Sequence, residues 1–334
     1  MRKWILSMLC VLSMVLLGMP VVADAAEEWN PVQSVTIAGK TLNSTTPYYH
    51  NGENGAQGTA DANAESANAI FDASTGTLTL NGLNVVSDGI FWSYDYRGGV
   101  NHDLTIVLAD NSVNTITNTA QGSIAINGAY GASGGPSLKI EGNGTLNLTG
   151  NAHAIWVWEN ITIQDEVKIQ ATTSGEVCIC NNSSSGTIAI KDNAVVEVNG
   201  DSYGIGYSNT NANTPSIQGG TLIATGGTSA FQVAPNLGED MAWQVLVGTS
   251  ESDAQLWSGS TELSSYKYVK LVSSAKPPLP GTATITGTAE YGETLTAELT
   301  DTSLSDAEKE TLMYQWKRDG EAVGSKSSDN TYIL

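Results

Sequence analysis

The most constraining feature of this sequence is a loose repeat, written six times between Leu78 and Phe231. Each copy has three apolar positions in a fixed order, usually followed two residues later by another apolar residue. This alternation is typical of short β-strands with one buried face, and Gly, Asn and Asp fill the gaps as tight bends require. The apolar positions form three columns: Leu78, Leu104, Leu138, Ile161, Ile188 and Ile217; Leu83, Val113, Leu146, Val167, Val196 and Leu222; Ile90, Ile124, Ile155, Val177, Ile205 and Phe231.

Three strands per copy, with 21 to 34 residues from one copy to the next, describe the coils of a solenoid. One coil cannot bury its own core, so the copies need one another. The sequence therefore predicts an all-β fold, a right-handed parallel β-helix of about six coils over residues 73–240. An antiparallel sandwich also uses short alternating strands, but it does not explain three columns in a constant order.

The flanking segments have lost the three columns. Residues 26–72 are predicted to form an N-terminal cap and loop, and residues 241–275 a C-terminal cap, because open solenoid ends need covering. A Pro-rich linker follows at 276–281. Residues 282–334 place Trp316 on an alternating strand, as in an immunoglobulin-like β-sandwich, but they supply only about half of its usual length. We expect a partial domain there.

The first 25 residues are typical of a signal peptide. Arg2 and Lys3 precede an apolar stretch that ends near Val22, and Ala23-Asp24-Ala25 fits the small-x-small cleavage rule. Gly18 and Pro20 interrupt the apolar run, which argues against a lasting membrane span. We expect a secreted, extracellular protein, associated with the cell surface and not inserted in the membrane after the signal is removed.

The chain is strongly acidic, with 14 Lys and Arg against 34 Asp and Glu and a formal net charge of −20. This balance argues against nucleic acid and anionic membranes as partners. It suits a soluble extracellular protein and leaves cation binding open.

Cys178 and Cys180 are the two cysteines beyond the leader. Two residues apart on a strand, they would share a face with their Cα atoms about 6.5–7 Å apart, at or beyond the usual limit for a disulfide. We interpret them as small residues on an ordinary strand surface.

Several phrases resemble secreted surface proteins of Gram-positive bacteria. They are "FDASTGTLTLNGLNV", "HDLTIVLADNSVNTIT", "LKIEGNGTLNL" and "YKYVKLV". That group includes β-helical carbohydrate-binding proteins with a pectate-lyase-like fold, some of which bind calcium and acidic plant polysaccharide. The C-terminal "YGETLTA…YQWKRDGEAV" resembles the bacterial immunoglobulin-like repeats appended to such proteins. The resemblance implies extracellular polysaccharide, or a host or plant glycan, as the partner.

Catalytic groupings are sparse in the sequence. Arg97 is the one arginine between residues 30 and 272, and the lysines there show no cluster. His50, His102 and His153 stand alone, and the neighbouring aspartates, Gly-His-Gly and Arg-x-Lys of a polygalacturonase-like glycosidase are absent from the sequence. We assign no catalytic residue, and a polysaccharide lyase or hydrolase remains the less favoured alternative.

A binding surface is better supported. Trp156 and Trp158 both point outward from their strand and could stack on sugar rings. The stretch "FWSYDYRGG" offers further aromatic contacts two coils earlier: Phe91, Trp92, Tyr94 and Tyr96. The alternative is that a cap, a loop or a neighbouring domain covers these rings.

Asp165 and Asp192 occupy matching bends on adjacent coils, where stacked carboxylates could bind Ca²⁺. Turn preference explains aspartates at bends equally, and Lys191 could neutralise them. Ca²⁺ is the only cofactor that the sequence suggests.

The function that we expect is noncatalytic binding of extracellular carbohydrate through one face of the β-helix. The alternative is an adhesin-like structural spacer, whose solenoid and immunoglobulin-like repeats project something else outward.

Processing gives a first prediction. Protein collected from the medium of an expressing Gram-positive host should begin at Ala26, because cleavage follows Ala25. Intact-mass measurement and N-terminal sequencing check this, and a secreted chain that retains Met1 would contradict it.

Overall fold

The computed structural model describes residues 31–53, 58–93, 103–129, 135–183, 186–208, 213–275, 282–300, 312, 314, 316–318, 321–323 and 327–333. The expected signal peptide and the Pro-rich linker lie outside these residues. The chain divides into two compact units, one of which is Glu27–Ser274, while the other includes Ala275–Leu334.

The larger unit is a nearly all-β solenoid of about five turns, which confirms the predicted parallel β-helix. Its handedness stays a prediction. The strands are, in chain order, β1 (Val35–Ile37), β2 (Lys40–Leu42), β3 (Tyr48–His50), β4 (Thr59–Asp61), β5 (Ala69–Asp72), β6 (Thr77–Leu80), β7 (Asn84–Val86), β8 (Ile90–Ser93), β9 (Leu104–Leu108), β10 (Val113–Asn118), β11 (Ile124–Ala129), β12 (Leu138–Gly142), β13 (Thr145–Gly150), β14 (His153–Val157), β15 (Ile161–Ile163), β16 (Lys168–Thr173), β17 (Val177–Asn181), β18 (Ile188–Ile190), β19 (Val195–Gly200), β20 (Tyr203–Tyr207), β21 (Ser216–Ile217), β22 (Thr221–Gly226), β23 (Ser229–Phe231), β24 (Asn236–Leu237), β25 (Met241–Gly248), β26 (Gln255–Leu256) and β27 (Tyr268–Ala275). Two 3₁₀ turns, Glu251–Asp253 and Leu263–Ser265, lie between β25 and β27.

Three sheets form the walls of the solenoid, and successive coils contribute one strand to each. Sheet 1 has the order β24-β21-β18-β15-β12-β9-β6-β5-β3-β4, sheet 2 the order β26-β25-β27-β22-β19-β16-β13-β10-β7, and sheet 3 the order β2-β1-β8-β11-β14-β17-β20-β23. Strands of successive coils pair in parallel within each sheet. The inward side chains therefore stack as ladders about 4.8 Å apart along the axis.

The observed register shifts parts of the predicted columns by two residues. Leu78 pairs with Ile106 rather than Leu104, and Ile155 pairs with Ile126 and Ile179 rather than with Ile124 and Val177. A shift of two keeps a side chain on the same face of a strand, so Leu104 and Val177 are buried as predicted, whereas Ile124 is half-buried. The faces were predictable, whereas the exact partners were not.

The second column contains a real exception. Val113 was expected inside, but its side chain is 59% exposed, and the neighbouring Asn114 is fully buried instead. The Asn114 Oδ1 atom accepts a hydrogen bond from the Leu83 N–H at 2.9 Å. Its Nδ2 donates to Ser112 Oγ at 2.9 Å and to the Thr145 carbonyl at 3.2 Å. The buried amide thus satisfies backbone groups at the bend between coils, which a valine cannot do.

Antiparallel strands adjoin both ends of the parallel stack. At the first coil, β1 pairs with β8 and β5 pairs with β6, and at the last coil β27 pairs with β22. These strands satisfy edge backbone groups that would otherwise be open to another chain.

The second unit contains a three-stranded antiparallel sheet and a two-stranded hairpin within its described residues. Their strands are β28 (Thr282–Thr286), β29 (Thr294–Thr300), β30 (Lys317–Arg318), β31 (Glu321–Ala322) and β32 (Thr331–Ile333), with orders β28-β29-β32 and β30-β31. The Trp316 ring stacks on Tyr332, with ring centroids 5.5 Å apart. These strands do not establish an immunoglobulin-like domain, so that assignment stays a prediction.

The register predicts that substitutions at two adjacent residues will change the free energy of unfolding by very different amounts. Asn114→Ala should lower the free energy of unfolding by about 1–3 kcal/mol, because it leaves the buried Leu83 N–H unpaired. Val113→Ala is the matched control and should change it by less than about 0.5 kcal/mol. Urea unfolding checks both, and a larger loss for the valine variant would contradict the register.

Candidate functional site

The outer face of sheet 3 carries a row of side chains in register across successive coils. Phe91 pairs with Asn127, Asn127 pairs with Trp156, and Trp156 pairs with Cys180. Phe91 is 40% exposed, and Asn127 and Trp156 are half-buried. We call Phe91, Asn127 and Trp156, together with Trp158 two residues beyond, the aromatic row. The row runs along the solenoid axis. The backbones of Phe91 and Trp156 are therefore two ladder steps, or about 9.6 Å, apart.

The two tryptophans lie together, as the sequence suggested, but they do not form one flat surface. Their ring centroids are 6.2 Å apart and the ring planes meet at 69°, an edge-to-face arrangement. Both side chains are half-buried. A side chain at Gly135 would overlap the Trp158 indole, so this ring rests against the backbone there. Trp158 is therefore held against the backbone at Gly135 and packs edge to face on Trp156.

Trp92 is not part of this surface, contrary to the prediction. Its side chain is 1% exposed and lies in the core cluster. The reason is alternation, because Trp92 follows the buried Ile90 by two residues and shares its face. Its register partner is Gly128, where an added Cβ would lie 2.7 Å from Trp92 Cζ2. The missing side chain of that glycine makes room for the indole. Tyr94 and Tyr96, predicted with it, lie outside the described residues.

Asn127 is the member of the row that sequence reasoning missed. The predicted column put Ile124 beside Ile155, and hence the next residue, Ala125, beside Trp156, whereas the observed register places Asn127 there. Its Oδ1 atom is buried and has no hydrogen-bond partner among the described residues. An orphaned buried acceptor costs free energy unless a ligand or a solvent molecule supplies a donor. In the sequence, Asn127 is an outward-facing amide. That it lies between Phe91 and Trp156 follows only from the register of the strands.

Both cysteines are buried, which corrects their interpretation as ordinary strand surface. Cys178 belongs to the core cluster, whereas Cys180 continues the row from Trp156 on the outer face and is covered there. Both side chains are 0% exposed and both thiols are free. Cys178 belongs to a column of small buried residues that precede the large apolar residues of sheet 3: Ala125, Ala154, Cys178, Gly204 and Ala230. Burial raises the pKa of each thiol from 9.0 to about 12.

Asp165 and Asp192 do lie at matching bends of adjacent coils, and both have left-handed backbones, with φ of 63° and 56°. Asp165 Oδ2 accepts a hydrogen bond from the Gly142 N–H at 3.0 Å, and Asp192 Oδ2 accepts one from the Asp165 N–H at 3.2 Å. Each carboxylate thus binds the bend of the preceding coil, in keeping with the turn explanation. In the described part of the chain, no group of three or more His, Cys, Asp or Glu side chains is placed to hold a metal ion.

The histidines within the described residues bind neighbouring groups. His153 Nδ1–H donates to the Val177 carbonyl at 2.6 Å, and burial lowers the pKa of His153. His50 Nε2 lies 3.3 Å from Asp61 Oδ1 in the N-terminal cap. Arg97 and His102 lie outside the described residues.

The chain matches no family model, and it has no significant match among curated proteins or solved structures. Among the described residues, no helix is long and apolar enough to cross a membrane. What the geometry itself defines is a parallel β-solenoid with a partly exposed aromatic row on one sheet.

The buried thiols predict a loss of stability at alkaline pH. Their folded-state pKa lies above the unfolded value, so their contribution is complete below about pH 9 and is lost as pH rises toward about 12. The slope approaches about 1.4 kcal/mol per pH unit for each thiol. Urea midpoints measured across this window should fall more steeply for the native chain than for Cys178→Ala/Cys180→Ala. Equal slopes would show that the thiols do not titrate on unfolding.

Proposed function

We propose that this protein is a secreted, noncatalytic carbohydrate-binding protein whose ligand contacts the aromatic row on sheet 3. The observation that carries the proposal is the placement of Asn127, with its orphaned Oδ1 atom, in register between Phe91 and Trp156. Sugar rings present C–H faces that stack on aromatic rings and hydroxyl groups that donate to amide oxygens. The row supplies both kinds of contact side by side.

The spacing of the row suits an extended ligand. Phe91 and Trp156 are two ladder steps apart, about 9.6 Å along the axis, which is comparable to the length of a disaccharide. A glycan chain lying along the axis would stack one ring on each aromatic side chain and reach Asn127 between them. Trp158, at 69° to Trp156, would border the chain on one side.

The backbone under the row is pre-formed, and only local movement at Asn127 is needed for its buried Oδ1 atom to reach a ligand. The backbone under the row belongs to a parallel ladder, with Ile126, Ile155 and Ile179 fully buried beneath it. Side chains on such a ladder have few alternative positions, so little conformational entropy is lost on binding. Secretion, expected from the first 25 residues, would place the surface among extracellular polysaccharides.

The test is affinity electrophoresis and titration calorimetry against a panel of neutral, acidic and basic extracellular polysaccharides. Trp156→Ala and Phe91→Ala should each weaken binding about tenfold or more, because each removes a stacking contact. Asn127→Ala should also weaken binding without lowering thermal stability, since its Oδ1 has no hydrogen bond to lose and its burial costs free energy.

Val113→Ala is the control, because Val113 is an exposed apolar residue on sheet 2. It should leave binding unchanged. If the native chain binds a polysaccharide and all three variants of the aromatic row bind it equally well, the site is disproved. No binding across the panel would disprove the function and favour the structural spacer.

A further inference from the structure

The strands under the aromatic row carry no formal charge. The parallel strands β8, β11, β14, β17, β20 and β23 contain no Lys, Arg, Asp or Glu. The N-terminal neighbour β1 (VTI) has none either, and its Thr36 continues the row from Phe91. An ionic group of a ligand would therefore meet no counter-charge on β1 or on these parallel strands; sheet 3 carries one lysine, Lys40, on its edge strand β2.

The bends that lead into sheet 3 are acidic. They carry three carboxylates, from Asp88, Glu176 and Asp201, and no lysine or arginine across the residues 87–89, 119–123, 151–152, 174–176, 201–202 and 227–228. All three side chains are exposed. With a formal net charge of −20 over the whole chain, the potential over this face is negative.

Where titratable groups on sheet 3 have shifted pKa values, every shift favours the neutral form. Burial lowers the pKa of His153, and it raises the pKa of Cys178, Cys180 and Tyr207. Because burial is the main cause of each shift, these pKa values describe the packed groups of sheet 3 and not its exposed rings.

We infer that the ligand of the aromatic row is an uncharged glycan, because its contact residues carry no charge and the acidic bends beside them repel polyanions. This inference rests on the proposed function. A carboxylate or sulfate brought onto the row would lose hydration without gaining a basic partner from the described strands β1, β8, β11 and β14. An ammonium group would be drawn to the acidic bends but would face the same desolvation on the row itself. Hydroxyl and acetamide groups carry no such penalty and can satisfy Asn127.

The experiment uses pairs of polymers with the same backbone, in which one ionisable group per sugar is either free or blocked, with the full secreted chain. Polygalacturonate is compared with its fully methyl-esterified form, and deacetylated chito-oligosaccharide with its acetylated form. In any pair that binds, the uncharged member should bind at least tenfold tighter. Trp156→Ala should remove that binding, and Val113→Ala should not.

The dependence of affinity on salt concentration is an independent test. Raising NaCl from about 0.1 M to about 1 M shortens the Debye length from about 10 Å to about 3 Å and weakens ionic contacts. Affinity for the uncharged polymer should stay within about twofold over this range. Binding that falls steeply with salt would overturn the inference.

The outcomes separate this inference from the proposed function. If Trp156-dependent binding is stronger for polygalacturonate or for deacetylated chito-oligosaccharide, the inference is wrong and the function stands. Polygalacturonate binding that requires added CaCl₂ would overturn it in the same way, since a bridging cation would supply the missing charge. If neither these pairs nor any polysaccharide of the wider panel binds, the proposed function itself is wrong.

Discussion

The structure depends on the parallel hydrogen-bonded ladder between coils. Each coil is too thin to bury its own apolar side chains, so its strands gain both backbone partners and core contacts from the coils above and below. The interior is correspondingly apolar, with Ile106, Ile140, Ile163 and Ile190 fully buried in sheet 1. Some buried polar side chains satisfy backbone groups, as Asn114 does at the bend beside Leu83.

The same ladder decides what the outer surface can display. Parallel pairing repeats one position every coil, so residues far apart in the sequence become neighbours at a nearly constant spacing. Phe91, Asn127 and Trp156 are separated by more than thirty residues in one case and nearly thirty in the other, yet they form one row. The rule that exposes Phe91 also buries Trp92, because successive residues point to opposite faces. The aromatic row is thus a product of register more than of local sequence.

Much of the fold was predictable from three apolar columns, because periodicity reports which face of a strand is buried. Register was harder, since bends of varying length allow shifts of two residues that keep the face but change the neighbour. Because of that shift, the sequence columns place Ala125 beside Trp156, where the structure places Asn127. The buried Asn114 could not be read from hydrophobicity, because its role is to satisfy a neighbouring coil. The sequence predicts Asp165 and Asp192 at matching bends. The structure adds that their carboxylates accept hydrogen bonds from backbone amides.

The central claim is that the ladder assembles one binding row from three separate coils. Hydrogen–deuterium exchange with and without saturating methyl-esterified polygalacturonate, or another neutral polymer found to bind, measures this most directly. Slower exchange should appear together in peptides that contain β8, β11 and β14, because ligand contact along the row restrains these coils at once. The peptide containing β10, on sheet 2, should be unchanged. Protection confined to one coil, or centred on sheet 2, would contradict the account.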